Sequence, residues 1–249
     1  DLHSTSRRQR QMCIRDRCYN VLIMGIVSPN LSGGFDVSNI IPAEEFFCNR
    51  DTSCCFTGHR DRDLPFGGDV HKQGMKNLLS MLVLMIKEAY SEGCRTFISG
   101  MSKGIDLRCA EIVHSLSAQP EYKDMKLVCV LPYAGQRTEM KTPLDSYTYS
   151  LILNSCSAAV ITSPKYENGC YKKRNSFMVE HSSRLIGVIK EKAKGSGTLQ
   201  TINMAKRAGL TLNIICLDDN PVFYIDSDSD SRPISVSYTH LRAHETGRN

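Results

Sequence analysis

The segment Thr96-Phe-Ile-Ser-Gly-Met-Ser-Lys-Gly-Ile-Asp106 holds the pattern that decides the fold of this chain. A short β-prone run leads into a loop with Gly100 and Gly104, and the loop opens into apolar residues at helical spacing. The first N–H groups of a helix lack internal acceptors and carry the positive end of the helix dipole. A strand, a glycine loop and a helix start therefore favour an anion site. A tight turn without a ligand explains this segment equally well.

The alternation of strand and helix continues along the chain. Apolar runs of four to six residues predict buried strands, and apolar residues three or four apart predict helices between them. Continuous apolar strands that alternate with helices are typical of a parallel sheet covered on both faces. We therefore predict a Rossmann-like, doubly wound α/β fold with a mainly parallel sheet. The predicted strands are 53–57, 96–99, 126–131, 158–162, 185–189 and 212–217, and the predicted helices are 71–92, 104–118, 143–153, 171–184 and 199–208.

The two ends of the chain differ from the rest. Residues 1–17 and 236–249 resemble in-frame translations of the two adapters of a transposase-based sequencing library, so we exclude them from the fold. Residues 18–50 show no sustained period and are interpreted as a leader of uncertain origin. The domain itself is predicted at 51–217, and the acidic stretch 218–235 is predicted to be a disordered tail.

Charge and cysteine usage limit the classes of function. Residues 51–217 carry 22 Lys and Arg against 15 Asp and Glu, a mildly basic balance that suits anionic ligands. The 11 cysteines include no C-x-x-C pair, and several lie in apolar patterns, which favours reduced, buried thiols in a cytoplasmic protein and suggests no metal site. The most apolar run, 78–86, is far shorter than the roughly 20 residues of a membrane span, so no membrane partner is expected.

The unusual residues of the sequence follow predicted strands. In a doubly wound sheet, ligands bind outside the carboxyl ends of the strands, where the strand order reverses. Five loops meet at that edge, which is stronger evidence for a ligand than any single loop. The candidate ligand-binding residues there are Gly58, His59, Arg60, Ser99, Gly100, Gly104, Asp106, Tyr166, Arg174, Asn175, Gly195, Gly197 and Thr198.

Several of these side chains suggest specific roles, although each also has an ordinary structural explanation. Arg60 and Arg174 are candidate phosphate clamps, since a guanidinium group can make two parallel bonds to a phosphate. Tyr166 could stack on a base or simply pack. His59 could titrate near neutral pH, but holding a backbone carbonyl is the better interpretation. Glu111 is predicted to face the glycine loop and is the only weak candidate for a catalytic acid or base.

The residues also resemble a known family. The motifs Cys54-Cys-Phe-Thr-Gly-His-Arg60, the segment 97–106, Ala110-Glu111, Leu131-Pro132, Tyr166-x-x-Gly-Cys-Tyr-x-x-Arg-Asn175 and Gly195-Ser-Gly-Thr198 are similar to the YpsA-like branch of the SLOG superfamily. The likeness covers residues 53–217 in order. It implies a Rossmann-like fold, a cytoplasmic location and recognition of nucleotides or nucleotide-derived ligands.

Two related families frame the alternatives. The "lonely guy" phosphoribohydrolases resemble the chain at Gly195–Thr198, but Thr201 stands where they carry an acid. The DNA-processing protein A family, which binds single-stranded DNA, resembles the chain at both glycine loops. The leading hypothesis is a sensor or binding domain for a nucleotide, an ADP-ribose or an NAD-like ligand, with no certain cofactor. The alternatives are N-glycosidic hydrolysis and, less favoured, single-stranded DNA binding; a homo-oligomer is also allowed.

Overall fold

The computed structural model describes residues 40–190, 197–224 and 239–241. Its strands are β1 (Ile40–Pro42), β2 (Ser53–Gly58), β3 (Thr96–Ser99), β4 (Lys126–Leu131), β5 (Ala158–Ile161), β6 (Arg184–Ile189), β7 (Thr211–Cys216) and β8 (Thr239–Leu241). Its α-helices are α1 (Gln73–Ser91), α2 (Ile105–Ser117), α3 (Pro143–Ser155), α4 (Cys170–Glu180) and α5 (Gly197–Arg207). Short 3-10 helices, among them Asp61–Asp63, Gln136–Glu139 and Pro221–Tyr224, occupy several connections.

All the strands belong to one sheet with the order β1-β5-β4-β3-β2-β6-β7-β8. The first seven pair in parallel, and β8 adds to β7 in the antiparallel sense. Strands are added on one side of β2 as far as β5, and the chain then crosses back to place β6 on the other side. The predicted Rossmann-like fold is therefore confirmed.

Helices cover both faces of the sheet because alternate residues of each strand point to opposite sides. On one face, Phe56 and Phe97 pack with α1, α2 and α3, and their rings stack with centroids 6.2 Å apart. On the other face, Cys55 and Ile98 pack with α4 and α5. This double burial explains why the strands are continuous apolar runs in the sequence.

The structure extends the fold upstream of residue 51, where the sequence predicts only a leader. Ile40 and Ile41 pair with Ala159 and Val160 of β5. The ring of Phe46 lies 5.9 Å from that of Phe177 and is 7% exposed, so this segment covers the second face of the sheet. The remainder of the predicted leader, 18–39, lies outside the described residues, as do the first adapter-like segment and Gly195.

Two other boundaries also differ from prediction. The helix predicted at 171–184 ends at Glu180, because Ser183 N–H donates to the carbonyl of Ser53 and Arg184 already pairs with β2. Downstream of residue 217, where a disordered tail is predicted, Pro221–Tyr224 packs on α1 with Phe223 fully buried. Strand β8 falls within the second adapter-like segment, and 225–238 and 242–249 lie outside the described residues.

None of the helices within the described ranges is long and apolar enough to cross a membrane.

The burial of Phe223 makes a test of the domain boundary. Replacing a fully buried phenylalanine by alanine leaves a cavity, so Phe223→Ala is expected to lower the free energy of unfolding by about 3–5 kcal/mol. Tyr224→Ala is the matched control, since Tyr224 is 42% exposed and its loss should cost far less. Chemical denaturation of the two variants measures the difference, and equal stabilities would show that the domain ends before Phe223.

Candidate functional site

The candidate site lies at the carboxyl edge of the sheet, beside β2. Because β2 to β6 run parallel, the loops that follow them emerge at one edge. The strand order reverses at β2, which has β3 on one side and β6 on the other. The loops after β2 and β6 therefore flank the crevice where doubly wound sheets bind ligands.

A buried ion pair holds the centre of this edge. Arg174, from the second turn of α4, donates from Nη1 to Asp106 Oδ2 at 3.2 Å and from Nη2 to Ser102 Oγ at 3.0 Å. Only 4% of the Arg174 side chain and 9% of the Asp106 side chain are exposed. Burial raises the pKa of Asp106 and lowers the pKa of Arg174, while each charge favours the ionised form of the other.

Gly100 is required by this arginine. A Cβ atom at position 100 would lie 1.2 Å from Arg174 Nη1 and 2.8 Å from Asp106 Oδ2. The carbonyl of Gly100 also accepts from Gln136 Nε2 at 3.2 Å. The sequence predicts Gly100 as a ligand-binding residue, but in the structure a side chain of the protein itself occupies the space beside it.

The start of α2 is partly capped by the loop after β2. Ile105 N–H donates to the carbonyl of His59 at 3.2 Å, and Leu107 N–H donates to the carbonyl of Ser102 at 3.1 Å. Gly104 has a φ of 98°, and a Cβ there would lie 2.3 Å from the same His59 carbonyl. The sequence predicts that the first N–H groups of this helix are open to an anion, but these two already have acceptors. The start of α2 therefore offers fewer free donors than predicted.

Ser99 and Gly58 also serve the loop. Ser99 Oγ donates to the carbonyl of Asp106 at 2.7 Å and accepts from Met101 N–H at 3.1 Å. A Cβ at Gly58 would lie 2.4 Å from Ile105 Cβ, so glycine lets α2 pack against the end of β2. Both residues position the glycine loop.

His59 connects the two strands that flank the crevice. Its Nε2 accepts a hydrogen bond from Lys190 N–H at 2.9 Å, so the ring holds a backbone amide rather than the expected carbonyl. The residue is 4% exposed, and burial lowers its pKa below the ordinary value of 6.5. The neutral imidazole is thus the form that fits the fold.

Arg60 adds a second positive charge near the pair. Arg60, which is half-buried, lies near enough to favour the ionised form of Asp106. Burial lowers the pKa of Arg174, and the charge of Arg60 lowers it further. Two guanidinium groups thus lie near the Asp106 carboxylate, and Arg174 is the one that ion-pairs with it. In addition, the Nε atom of Arg174 is buried without a hydrogen-bond partner among the described residues.

A second charged cluster lies on the other side of the glycine loop. Lys103 Nζ is 2.6 Å from Asp145 Oδ2 and 3.5 Å from Asp61 Oδ2. Glu111 pairs with Arg108 at 2.9 Å, and burial raises the pKa of its carboxyl group. Glu111 therefore belongs with these charges, whereas Arg174 contacts the loop through Ser102.

The remaining candidates are distributed around the edge. Asn175 Nδ2 donates to Thr201 Oγ1 at 2.8 Å, which joins α4 to α5, and Thr201 Oγ1 donates to the carbonyl of Gly197 at 2.8 Å. Thr198 is buried in the first turn of α5. Tyr166 is 66% exposed, and its ring makes an edge contact with Tyr133 at 5.5 Å.

Three residues near the pair were not predicted from the sequence: Tyr171, which contacts Arg174, and Tyr133 and Glu139, which contact Tyr171. The Tyr171 ring centroid is 5.8 Å from Arg174 Cζ, and the hydroxyls of both tyrosines donate to Glu139 Oε1. The available signals were the position of Tyr133 directly after Leu131-Pro132 and the second tyrosine of the Tyr166-x-x-Gly-Cys-Tyr motif.

The model of the YspA SLOG family, YpsA, matches residues 54–220, which is most of the chain. The chain belongs to this family. The matched range contains the whole of the edge described above and extends to Asn220, three residues before the buried Phe223.

The chain is also similar to proteins from Bacillus. A UPF0398 protein of Bacillus cereus (strain B4264) is 27% identical over 154 residues, covering 61% of this chain and 82% of that protein. A UPF0398 protein of Bacillus cereus (strain G9842) is 29% identical over 119 residues, covering 47% of this chain and 63% of that protein.

One solved structure is also similar. DNA processing protein A from Helicobacter pylori, described for its single-stranded DNA binding mode, aligns with a TM-score of 0.45 and 14% identity. The alignment covers 66% of this chain and 65% of that chain, slightly less than two thirds of its length.

Within the ranges 40–190, 197–224 and 239–241, no group of three or more His, Cys, Asp or Glu residues is placed to hold a metal ion.

The contact between Gly100 and Arg174 predicts that adding one methyl group at position 100 strongly destabilises the protein. Gly100→Ala must displace the guanidinium group and leave Asp106 buried without its partner, at a cost of about 3–5 kcal/mol in the free energy of unfolding. Gly197→Ala is the control, because no described heavy atom lies within 4 Å of a Cβ there. Chemical denaturation measures both variants.

A double-mutant cycle makes this test specific. In an Arg174→Met background the cost of Gly100→Ala should shrink, since the group that clashes has been removed. If the two changes were additive, the contact would not be the cause.

The environment of His59 predicts a dependence of stability on pH. Its lowered pKa means that the unfolded chain takes up a proton near pH 6.5 while the folded chain does not. Its contribution to stability is therefore complete above pH 6.5 and is lost as the pH falls through that value toward the lowered pKa. His59→Gln keeps an acceptor but does not titrate, so the stability of the variant should fall less steeply between pH 7 and 5 than that of the unchanged protein. The two slopes should differ by up to about 1.4 kcal/mol per pH unit. Urea unfolding at several pH values measures this, and parallel curves would contradict it.

Proposed function

We propose that the crevice beside β2 binds a phosphate-bearing, nucleotide-derived ligand. The observation that supports this most directly is the charge of the site: Asp106 is ion-paired with the buried Arg174, and Arg60 adds a second positive charge near the same carboxylate. A phosphate would supply the missing negative charge and accept from guanidinium N–H groups, including the unpartnered Nε of Arg174. Membership of the YspA SLOG family supports recognition of such ligands at a general level.

The roles in this proposal divide between the two arginines. Arg174 is already held by Asp106 and Ser102, so its guanidinium group is oriented before a ligand arrives. Arg60 is half-buried and has more freedom to turn toward a phosphate. A preoriented group loses little conformational entropy on binding, so we assign phosphate orientation to Arg174 and charge neutralisation to Arg60.

We further propose a sensing or binding role, with an ADP-ribose or NAD-like molecule as the ligand, in a cytoplasmic protein. Nine cysteines within the described ranges have free thiols, and seven of them are buried, which suits a reducing compartment. N-glycosidic hydrolysis is less favoured because its candidate acid, Glu111, is paired with Arg108 on the other side of the loop.

The proposal is tested by substituting Arg60 in the full-length protein. Arg60→Gln removes a charge from the site, and the affinity for inorganic pyrophosphate and for ADP should fall about tenfold or more, since charge-assisted bonds contribute about 1.5–3 kcal/mol. Arg62→Gln is the matched control two residues away, because 84% of the Arg62 side chain is exposed and it pairs with Asp63. Isothermal titration calorimetry measures the affinities.

The same titrations distinguish the alternatives. No binding and no thermal stabilisation by any member of a broad nucleotide panel would exclude the proposed ligand class. Release of free base from a nucleoside monophosphate, and its loss in Glu111→Gln, would indicate the hydrolase. High affinity for a single-stranded oligonucleotide that falls steeply with salt would indicate DNA binding.

A further inference from the structure

Three tyrosines from separate segments form one cluster, which meets Arg174 at Tyr171. Tyr133 follows β4, Tyr166 lies in the loop after β5, and Tyr171 is in the first turn of α4. The ring of Tyr133 meets Tyr166 edge to face at 5.5 Å and an interplanar angle of 85°, and meets Tyr171 at 6.5 Å and 83°. Such edge contacts are favourable for aromatic rings, so the three side chains hold one another in place.

Glu139 fixes two of the rings from behind. Tyr133 Oη donates to Glu139 Oε1 at 2.8 Å, and Tyr171 Oη donates to the same oxygen. Burial and, secondly, Glu139 raise the pKa of both tyrosines, so the hydroxyls remain protonated donors at neutral pH. The two rings are thus anchored through their hydroxyls, whereas Tyr166 is 66% exposed.

This cluster continues the cationic part of the site. Arg174 Cζ lies 5.8 Å from the centroid of Tyr171. A ligand whose phosphate lay at Arg174 would have the half-buried rings of Tyr171 and Tyr133 and the exposed ring of Tyr166 on one side of it. A planar ring attached to a phosphate is the chemistry that matches both halves of this surface.

We propose that Tyr133, Tyr166 and Tyr171 form a stacking platform for the nucleobase of a nucleotide ligand, with Tyr166 as the contact residue and Glu139 as a positioning residue. This inference rests on the proposed phosphate site and deepens it, because it assigns named residues to the base of the ligand. Stacking on an aromatic side chain tolerates any base, so the platform recognises that a base is present rather than which base it is.

The test compares ligands with and without a base. The full-length protein is titrated with inorganic pyrophosphate and with ADP, GDP, CDP and UDP. The diphosphates of nucleosides should bind about tenfold tighter than pyrophosphate, since stacking contributes roughly 1–3 kcal/mol per base and 1.4 kcal/mol corresponds to a factor of ten. Tyr166→Leu should abolish that difference while leaving pyrophosphate affinity unchanged, and Tyr166→Phe should retain it.

Two further variants separate stacking from a general effect on the fold. Phe47→Leu is the control, since Phe47 is 88% exposed and follows Phe46, which packs on His181 beyond the far end of α4, away from the crevice. It should leave all affinities unchanged. Glu139→Gln should lower nucleotide affinity severalfold and pyrophosphate affinity little, because the rings lose their charged anchor.

Each outcome is decisive for one proposal. If pyrophosphate binds and the nucleotides bind no tighter, or if Tyr166→Leu weakens both alike, the platform is wrong and the phosphate site stands. If neither pyrophosphate nor any nucleotide binds at millimolar concentration, both proposals fail. Tighter binding of a thymidine oligonucleotide than of any nucleoside diphosphate would replace the single-base platform by a strand-binding surface.

Discussion

The buried pair of Arg174 and Asp106 is the interaction on which the rest of this edge depends. A charge removed from water needs a partner and further hydrogen bonds, and the pair obtains them from Ser102 and from the backbone of the glycine loop. The pair ties α4 to the start of α2, across the loop that follows β3. Gly100 is a consequence of this pair, because the guanidinium group occupies the space of a side chain there. In the proposed phosphate site, the donors are therefore two arginine side chains and not the N–H groups of the loop backbone.

The fold was largely predictable because its signals are local. Strands buried on both faces must be apolar throughout, and helices that cover them must be apolar on one side, so both periods are visible in the sequence. The missed parts lack such a period. Strand β1 has three residues and is defined by its pairing with β5, while the burial of Phe223 depends on a groove formed by α1. These segments belong to the domain through tertiary contacts, which form only when the sheet and α1 are assembled.

The location of the candidate site could be predicted from the sequence, but most of its side-chain contacts could not. Parallel strands bring their following loops to one edge whatever the side chains are, and that placed Arg60, Arg174 and Tyr166 together in advance. Which partner a polar side chain contacts depends on the tertiary fold. Asn175 donates a hydrogen bond to Thr201, and His59 accepts one from the backbone of Lys190, and no spacing in the sequence indicates either contact. Tyr133 and Tyr171 were missed because a tyrosine in a loop or a first helical turn is usually ordinary packing.

The glycine loop is held from both sides, and this has a consequence for binding. Ser102 accepts from Arg174 on one side, and Lys103, the next residue, reaches Asp145 and Asp61 on the other. Between Gly100 and Ser102 the buried Met101 has a φ of 55°, an uncommon conformation for a residue other than glycine. Such a conformation persists only where its surroundings determine it, and here two charged contacts and Gln136 do so. Because the folded chain has already met the cost of ordering this loop, a ligand that binds beside it does not have to supply that free energy.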